Sequence, residues 1–230
     1  MNKKHIVDLS HKLTPGKEHN FKFEVQNFEA KEYIPSLVYD DDIWYIISQV
    51  DLCTHCGTHI EMPFHHVKGG ADTASFPLHK LVGNLVVLDF RGKKNLEAIT
   101  LDELKAYDAE IEEGDIVFLH TGFDKGFHSE KWDESCFIAQ DGIEWLVEKK
   151  IACIGTDGPF IESDYVRNQP GHISLLEANI PIVESLTNLE QVESGKYIVF
   201  ILPMAVENLE ACPTRIVAVS KEGLGELSRM

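Results

Sequence analysis

Short apolar runs of strand length recur along the chain and alternate with helical signals in its second half. They are rich in β-branched and aromatic residues, which favour strands, and they cover residues 5–10, 43–52, 81–90, 115–120, 151–156 and 197–202. Between them, Thr100 and Glu103 have the spacing of a capping box at the start of a helix. Residues 140–150 place their apolar side chains on one helical face. Strands that alternate with helices predict an α/β fold with a mixed sheet.

The composition is typical of one soluble domain. Of the 230 residues, 43% are hydrophobic. Because the sequence contains no fixed repeat, low-complexity tract or Pro/Gly/Ser-rich linker, residues 1–230 are predicted to form a single domain. The chain has 21 Lys and Arg residues against 38 Asp and Glu residues, a formal charge of −17. This balance argues against a nucleic-acid partner, because surfaces that bind phosphates need clustered basic side chains.

The sequence also predicts a cytoplasmic protein. No apolar run approaches the ~20 residues that a membrane span needs, so no membrane partner is expected. The N-terminal lysines are not followed by the apolar stretch of a secretory signal. The five cysteines are an odd and scattered set, which suits reduced thiols better than a disulfide framework.

Residues 53–66, Cys-Thr-His-Cys-Gly-Thr-His-Ile-Glu-Met-Pro-Phe-His-His, concentrate the candidate chemistry. If residues 55–61 are extended, the two-residue period of a strand points His55, His59 and Glu61 to one face. Two imidazoles and a carboxylate are suitable ligands for zinc, manganese or iron(II). Three protein ligands leave positions open for water, which is the arrangement of a catalytic rather than a structural metal site.

Two further residues of this segment fit such a site. Gly57, between the two histidines, removes a side chain where a metal ion or substrate would approach. Pro63 ends regular strand pairing, and the turn that follows predicts that His65 returns to the site from a loop.

Other interpretations of these residues are open. Cys53 and Cys56, with His55 and His59, could form a structural zinc knuckle, although no second Cys-x-x-Cys pair accompanies them. Alternatively, both cysteines are small buried hydrophobic residues. Isolated histidines more often lie on the surface or in the core than on a metal ion. Four histidines and a glutamate within residues 55–66 favour the metal site.

The segment His55-Cys-Gly-Thr-His59-Ile-Glu61-Met-Pro63-Phe-His65 resembles the His-x-Gly-Thr-His-x-Asp-x-Pro-x-His signature of a known family. This is the cyclase family of metal-dependent hydrolases, which includes kynurenine formamidases and isatin hydrolases. Further segments are similar to the family in the same order, at residues 7–10, 114–117, 121–122, 155–159, 172–184, 186–189, 202–203 and 213–215. The resemblance implies a compact α/β domain on a mixed β-sheet or flattened β-barrel flanked by helices.

The resemblance also implies metal ligands. His55, His59 and Glu61 match the ligands of a first metal ion. His172 and Glu184 match the residues that complete a second site, with the acidic residue bridging. One or two divalent ions per subunit are therefore expected, with zinc as the first choice and manganese as the second.

Three further expectations follow from the resemblance. His65 matches the histidine that acts on the water or on the leaving group. The sequence departs from the family at position 61, where glutamate replaces aspartate and moves the carboxylate by more than a bond length. The family is usually a homodimer, so a homodimer or a dimer of dimers is expected.

These residues suit a hydrolase that opens a small amide or lactam. Metal-bound water ionises near neutral pH, and an imidazole can return a proton to a departing nitrogen. Trp44, Phe64 and Phe160 are candidates to line an apolar pocket for an aromatic small-molecule substrate, although core packing explains them nearly as well. The alternatives are a cyclase or lactone hydrolase with the same site, and a metal-binding protein without turnover.

Overall fold

The computed structural model describes residues 5–18, 21–40, 42–163 and 166–229. The strands, in chain order, are β1 (Ile6–Asp8), β2 (Phe23–Glu29), β3 (Ile46–Leu52), β4 (His59–Glu61), β5 (Val82–Asp89), β6 (Ala98–Ile99), β7 (Ile116–His120), β8 (Phe137–Ile138), β9 (Cys153–Thr156), β10 (Ile182–Glu184), β11 (Tyr197–Ile201), β12 (Ala211–Pro213) and β13 (Ile216–Ser220). The helices are α1 (Ala30–Tyr33), α2 (Leu101–Lys105), α3 (Gln140–Glu148), α4 (Pro170–Glu177) and α5 (Lys221–Leu227).

One large mixed sheet organises the domain. In the described part of the chain it has nine strands, in the order β1-β13-β11-β5-β7-β9-β10-β4-β12. Strands β5, β7, β9 and β10 pair in parallel at its centre, and the outer pairs are antiparallel. The sheet curls and is flanked by few helices, which confirms the predicted single α/β domain with a mixed sheet.

The central strands are buried on both faces. In β7, Val117 and Leu119 point into one core cluster, and Ile116 and Phe118 point into another, as the two-residue period of a strand requires. Helices α2, α3 and α4 cover the face of Val117 and Leu119. A strand with no solvent-facing side must be apolar at consecutive positions, which explains why the sequence shows continuous apolar runs here.

The helices follow the local sequence signals. Thr100 and Glu103 form the predicted capping box at α2: the Glu103 carboxylate accepts from the Thr100 N–H at 2.9 Å, and the Thr100 hydroxyl accepts from the Glu103 N–H at 3.4 Å. Helix α3 ends two residues before the predicted position, because Lys150 takes a left-handed φ of 54°. Within the described ranges, none of the helices has the length and apolar character needed to cross a membrane.

The strand predicted over residues 43–52 differs from the structure in extent and burial. It begins only at Ile46 and pairs with β2 in a separate two-stranded sheet. Among its apolar residues Val50 is exposed, whereas Ile46, Ile47 and Leu52 are half-buried. The segment between β2 and β3 exposes Val38, Ile43 and Trp44. The enrichment in apolar residues here therefore reflects a partly exposed surface rather than a core strand.

Candidate metal centre

Side chains from separate segments meet where β4 pairs with β10. His59 and Glu61 are two residues apart on β4 and lie on one face of the strand. Glu184 of β10 lies directly opposite His59 in the antiparallel register. His172 comes from the first turn of α4, which begins at Pro170. These four side chains are buried.

Glu61 lies at the middle of this arrangement. Its Oε1 atom is 3.0 Å from Nδ1 of His55 and 3.6 Å from Nε2 of His59. Its Oε2 atom is 3.7 Å from Nε2 of His172. Glu184 adds Oε2 at 3.7 Å from Nε2 of His59 and Oε1 at 3.7 Å from Nε2 of His172. We call these five residues the His/Glu centre.

The His/Glu centre contains two overlapping triads. The first is His55, His59 and Glu61, and the second is Glu61, His172 and Glu184. Within each triad, one potential ligand atom of every residue lies within 4.8 Å of the others. Glu61 belongs to both triads, so a single carboxylate connects two positions that could each hold a cation.

His55 reaches the centre by a route that the sequence does not predict. Residues 55–58 form a turn rather than the expected strand, and only residues 59–61 are extended. Gly57 has a left-handed φ of 60°, and a Cβ atom at this position would collide with the side chain of Leu13. Glycine is therefore required by the turn and by the side chain of Leu13.

Each histidine of the centre has an acceptor behind its ring. The outer Nδ1 atoms lie 2.8 Å from the Gly57 carbonyl oxygen for His59 and 3.0 Å from Oε2 of Glu162 for His172. The outer Nε2 atom of His55 lies 3.5 Å from Oε1 of Glu210. Such contacts fix the tautomer and the orientation of a ring, so that its other nitrogen can bind a metal ion.

Sequence reasoning missed Glu162. It lies ten residues before His172, and no local spacing rule connects the two positions. Its Oε1 atom accepts from the Gly171 N–H at 2.9 Å, and its Oε2 atom accepts from the His172 N–H at 3.2 Å. The start of α4 leaves these N–H groups without helical acceptors. The Glu162 carboxylate therefore satisfies two N–H groups at the helix start.

The electrostatics of the centre favour a cation. Burial lowers the pKa of His172, but its hydrogen bonds with Glu162 and Glu184 and the charge of Glu61 raise it to about 10. Burial and the neighbouring charge of Glu61 raise the pKa of Glu184. Both raised pKa values reflect a negative electrostatic potential at the centre, and a bound cation there would offset this potential.

The residues present fit a divalent metal ion. Oε2 of Glu61 is buried and has no hydrogen-bond partner among the described residues, and a buried carboxylate oxygen in that state costs free energy unless a cation satisfies it. Imidazole nitrogens and carboxylate oxygens suit zinc and manganese. Neither triad includes Cys53 or Cys56, so the described residues give no support to the zinc-knuckle interpretation.

His65 lies beside the centre without belonging to either triad. As predicted, Pro63 starts a short turn that brings His65 back toward β4. Nε2 of His65 is 3.8 Å from Oε1 of Glu61, and its ring centroid is 4.8 Å from that of His55. Burial lowers the pKa of His65 to about 4. A neutral imidazole next to the centre is suited to accept a proton.

The family model described as "Putative cyclase" matches residues 7–163. The chain belongs to this cyclase family. A kynurenine formamidase from Erythrobacter litoralis (strain HTCC2594) is 30% identical over 166 residues, which cover 72% of this chain and 73% of that protein. Cyclase-like protein 1 from Arabidopsis thaliana is 27% identical over 230 residues, which cover 93% of this chain and 84% of that protein.

Solved structures share the cyclase-family fold. An isatin hydrolase bound to the product analogue thioisatinate superposes with a TM-score of 0.78 at 24% identity, over 94% of this chain and 92% of that one. A structure described as a potential metal-dependent hydrolase with cyclase activity gives a TM-score of 0.71 at 26% identity, over 94% of this chain and 98% of that one.

In this cyclase-family chain the His/Glu centre opens into a cavity of about 390 Å³. Aromatic side chains line it at Phe21, Phe127, Trp132 and Phe160. Of the three aromatic residues proposed from the sequence, the structure brings only Phe160 to this cavity. Phe64 is not among the lining residues.

Trp44, the third of these aromatic residues, lies on the surface. It is 84% exposed and does not line the cavity. It lies just before β3 in the segment that connects β2 to β3, outside both core clusters, which explains its exposure.

Proposed function

We propose that this protein hydrolyses a small aromatic amide or lactam with the help of a divalent metal ion at the His/Glu centre. The observation that carries the proposal is that two triads share Glu61 and lie beside His65 in an aromatic cavity. Membership of the cyclase family and the relatives named kynurenine formamidase support hydrolysis of a C–N bond outside peptides.

The proposed ligands divide between the two triads. His55, His59 and Glu61 would hold one ion, and His172 and Glu184 would hold a second together with Glu61. We assign zinc to these positions, with manganese as the alternative, because both accept this combination of nitrogen and oxygen ligands. When bound, such an ion supplies acidified water and polarises a carbonyl oxygen.

His65 is the proposed catalytic residue of the chain. It faces the cavity, is partly exposed there, and is not needed to complete either triad. Its Nε2 atom can take a proton from the attacking water and return it to the departing nitrogen. Positioning this imidazole close to the scissile bond converts a slow intermolecular proton transfer into one within the complex.

The side chains around the centre hold the reactants in place. Phe160 and Trp132 offer apolar surface to an aromatic ring. Glu162, behind His172, holds that imidazole in the orientation needed at the centre. The turn at Gly57 does the same for His55 and His59, because it fixes the position of both rings relative to Glu61.

We further propose that the protein is a homodimer formed through the β2–β3 hairpin. The hairpin and its connecting segment expose Val38 at 96% and Trp44 at 84%, and exposed apolar patches mark interaction surfaces. Analytical ultracentrifugation of the full chain should show a dimer that Trp44→Glu weakens and that Leu78→Glu, at an exposed apolar site outside the hairpin, leaves intact. A monomeric wild-type protein would refute the homodimer.

We place the protein in the cytoplasm. Its cysteines are free in the structure, and free thiols suit a reducing compartment. Cell fractionation with antibodies against the chain tests this placement, and recovery in an oxidising compartment would contradict it.

The proposed activity is tested with purified protein loaded with zinc or manganese. N-phenylformamide, N-formylkynurenine and isatin form the panel, and lactones are included to detect the alternative reaction on the same centre. We expect opening of at least one amide or lactam, together with at least about one equivalent of bound metal. Metal below that level, or no turnover across the panel, would exclude the hydrolase.

A further inference from the structure

The cavity over the His/Glu centre is lined by acidic side chains and by histidines. Four carboxylates line it, from Glu18, Glu61, Asp133 and Glu184. No Lys or Arg is present among its described lining residues. The four negative charges would be balanced by two bound divalent ions and would exceed the charge of one. Apart from its four histidines, the described lining offers no cationic side chain to an anionic substrate group.

The four carboxylates occupy two regions. Glu61 and Glu184 belong to the centre, whereas Glu18 and Asp133 lie outside it and line the cavity together with Phe127 and Trp132. The latter residues are connected: His128, next to Phe127, contacts Glu18 at 3.0 Å, and the rings of Phe127 and Trp132 are 5.3 Å apart. We call Glu18, Phe127, Trp132 and Asp133 the aromatic wall.

The Glu18 side chain is buried and held in place within the aromatic wall. Its side chain is 3% exposed, its Oε1 atom accepts from the Thr14 N–H at 2.6 Å, and its Oε2 atom lies 3.0 Å from Nε2 of His128. These contacts fix the carboxylate in position at the cavity surface. A fixed charge acts on a bound substrate more strongly than a mobile surface charge, because it is poorly screened by solvent.

The rings of the wall are also held in place. His11 stacks behind Phe127 with ring centroids 3.9 Å apart, and Phe127 meets Trp132 edge to face at 84°. Aromatic faces attract planar apolar groups and cations. A carboxylate on the substrate would instead meet Glu18 and Asp133 with no Lys or Arg among the described lining residues to pair with it, which is unfavourable for both desolvation and charge repulsion.

We infer that the cavity selects aromatic amides whose ring substituents are neutral or positively charged, and that Glu18 disfavours substrates that bear a carboxylate. The inference rests on the proposed hydrolase and names the substrate class of the same site. It assigns Glu18 as a specificity-determining residue.

The test compares aryl formamides that differ in charge, with the zinc-loaded protein at pH 8. They are N-phenylformamide, 4-formamidobenzoate, its neutral methyl ester and the cationic 4-(aminomethyl) derivative. Each kcat/KM is divided by the rate of hydroxide hydrolysis of the same compound, which removes the electronic effect of the substituent. We expect the ester to exceed the carboxylate by about tenfold or more, the effect of one unfavourable charge contact. The cationic compound should match or exceed N-phenylformamide.

Variants of the aromatic wall identify the residue that causes the charge preference. Glu18→Gln should reduce the ratio of ester to carboxylate several-fold, and Asp133→Asn, at an exposed position of the same wall, should reduce it in the same direction. Glu148→Gln, which removes an exposed charge of α3 away from the cavity, should leave the ratio unchanged. Because Glu18 is buried, the melting temperature of its variant is measured first, and Asp133→Asn decides the question if Glu18→Gln does not fold.

The outcomes distinguish this inference from the hydrolase proposal. The selection by charge would be overturned if 4-formamidobenzoate and its methyl ester were opened equally well. It would also be overturned if the ratio of ester to carboxylate stayed unchanged in both wall variants. If no formamide is opened, the hydrolase proposal fails. Calorimetric binding of the same four compounds to the zinc-loaded protein then decides the charge preference, with tighter binding of the ester than of the carboxylate supporting it and equal or reversed binding refuting it.

Discussion

The Nδ1 atom of His172 lies 3.0 Å from Oε2 of Glu162, and both side chains are buried. On the other side of the ring, Nε2 of His172 lies 3.7 Å from both Glu61 and Glu184. A carboxylate behind an imidazole fixes the ring and makes its inward nitrogen more basic. Glu162 therefore prepares His172 for a cation at the centre.

Replacement of Glu162 by Gln should weaken metal binding about 10- to 100-fold. The amide keeps the size of the side chain but loses the charge, and its NH2 group cannot accept from the N–H groups of Gly171 or His172. Competition with a chelator measures the affinity. Glu177→Gln, at an exposed position of the same helix, is the control, and equal affinities in the two variants would argue against a positioning role for Glu162.

Replacement of His65 by Ala should preserve metal content and reduce kcat by about 10²- to 10⁴-fold. The physical reason is that His65 lies outside both triads but close enough to the centre to move a proton. Turnover and elemental analysis are measured on the same samples. The exposed His79→Ala serves as the control. Parallel loss of metal and activity in His65→Ala would identify His65 as a ligand instead.

Because Glu61 belongs to both triads, its removal should lower the number of bound metal ions more than the removal of Glu184. Its two oxygens face different triads, Oε1 toward His55 and Oε2 toward His172. With three ligands needed at each position, we expect about two equivalents in the wild type, about one in Glu184→Ala and close to none in Glu61→Ala. Elemental analysis after dialysis gives the counts, and circular dichroism checks the fold. Equal stoichiometry in the two variants would show that Glu61 is not shared.

The main elements of the fold could be predicted because their signals are local. The continuous apolar run of β7 reflects burial on both faces, and the capping box at Thr100 is complete within four residues. The β2–β3 hairpin could not be predicted as an exposed element, because β-branched and aromatic residues favour strands in a core and at a surface alike. Trp44 illustrates this: its type suggested a pocket, and its place in the fold exposes it.

Part of the site could also be predicted, because its sequence signal is local. His59 and Glu61 share a face through the two-residue period of β4. His55 is placed by the turn at Gly57, where the absence of a Cβ atom leaves room for Leu13, more than forty residues earlier. The outer contacts of Glu162 and Glu210 join segments whose proximity arises only in the folded chain, and no pattern within either segment reports them.

Replacement of Gly57 by Ala should destabilise the protein and weaken metal binding. Gly57 has a left-handed φ of 60°, and an added Cβ atom would displace Leu13. Gly69→Ala is the matched control, because its φ of 80° is also left-handed but open space surrounds it. We expect Gly57→Ala to lose about 1–3 kcal/mol more of unfolding free energy than Gly69→Ala, the typical cost of overpacking. Urea unfolding and chelator competition provide the measurements, and equal losses would contradict the role of Leu13.

Asp157 makes the stability depend on pH. Its carboxylate is fully buried and accepts from the N–H groups of Thr121 and Gly122. Burial nevertheless raises its pKa from 3.8 to about 6. A raised pKa in the folded state means that folding favours the protonated form, so its stabilising effect is complete below about pH 4 and is lost as the pH rises to about 6.

In the Asp157→Asn variant, the side chain at position 157 is uncharged at every pH. The unfolding free energy of the wild type minus that of Asp157→Asn should therefore fall by up to about 3 kcal/mol between pH 4 and pH 7, the equivalent of roughly two pKa units. Urea titrations at each pH supply the two values, and taking their difference cancels the titration of all other groups. The control is Asp102→Asn, at an exposed position. The unfolding free energy of the wild type minus that of Asp102→Asn should not fall between pH 4 and pH 7. A flat profile for Asp157→Asn would show that hydrogen bonds from Thr121 and Gly122 offset the burial of the charge.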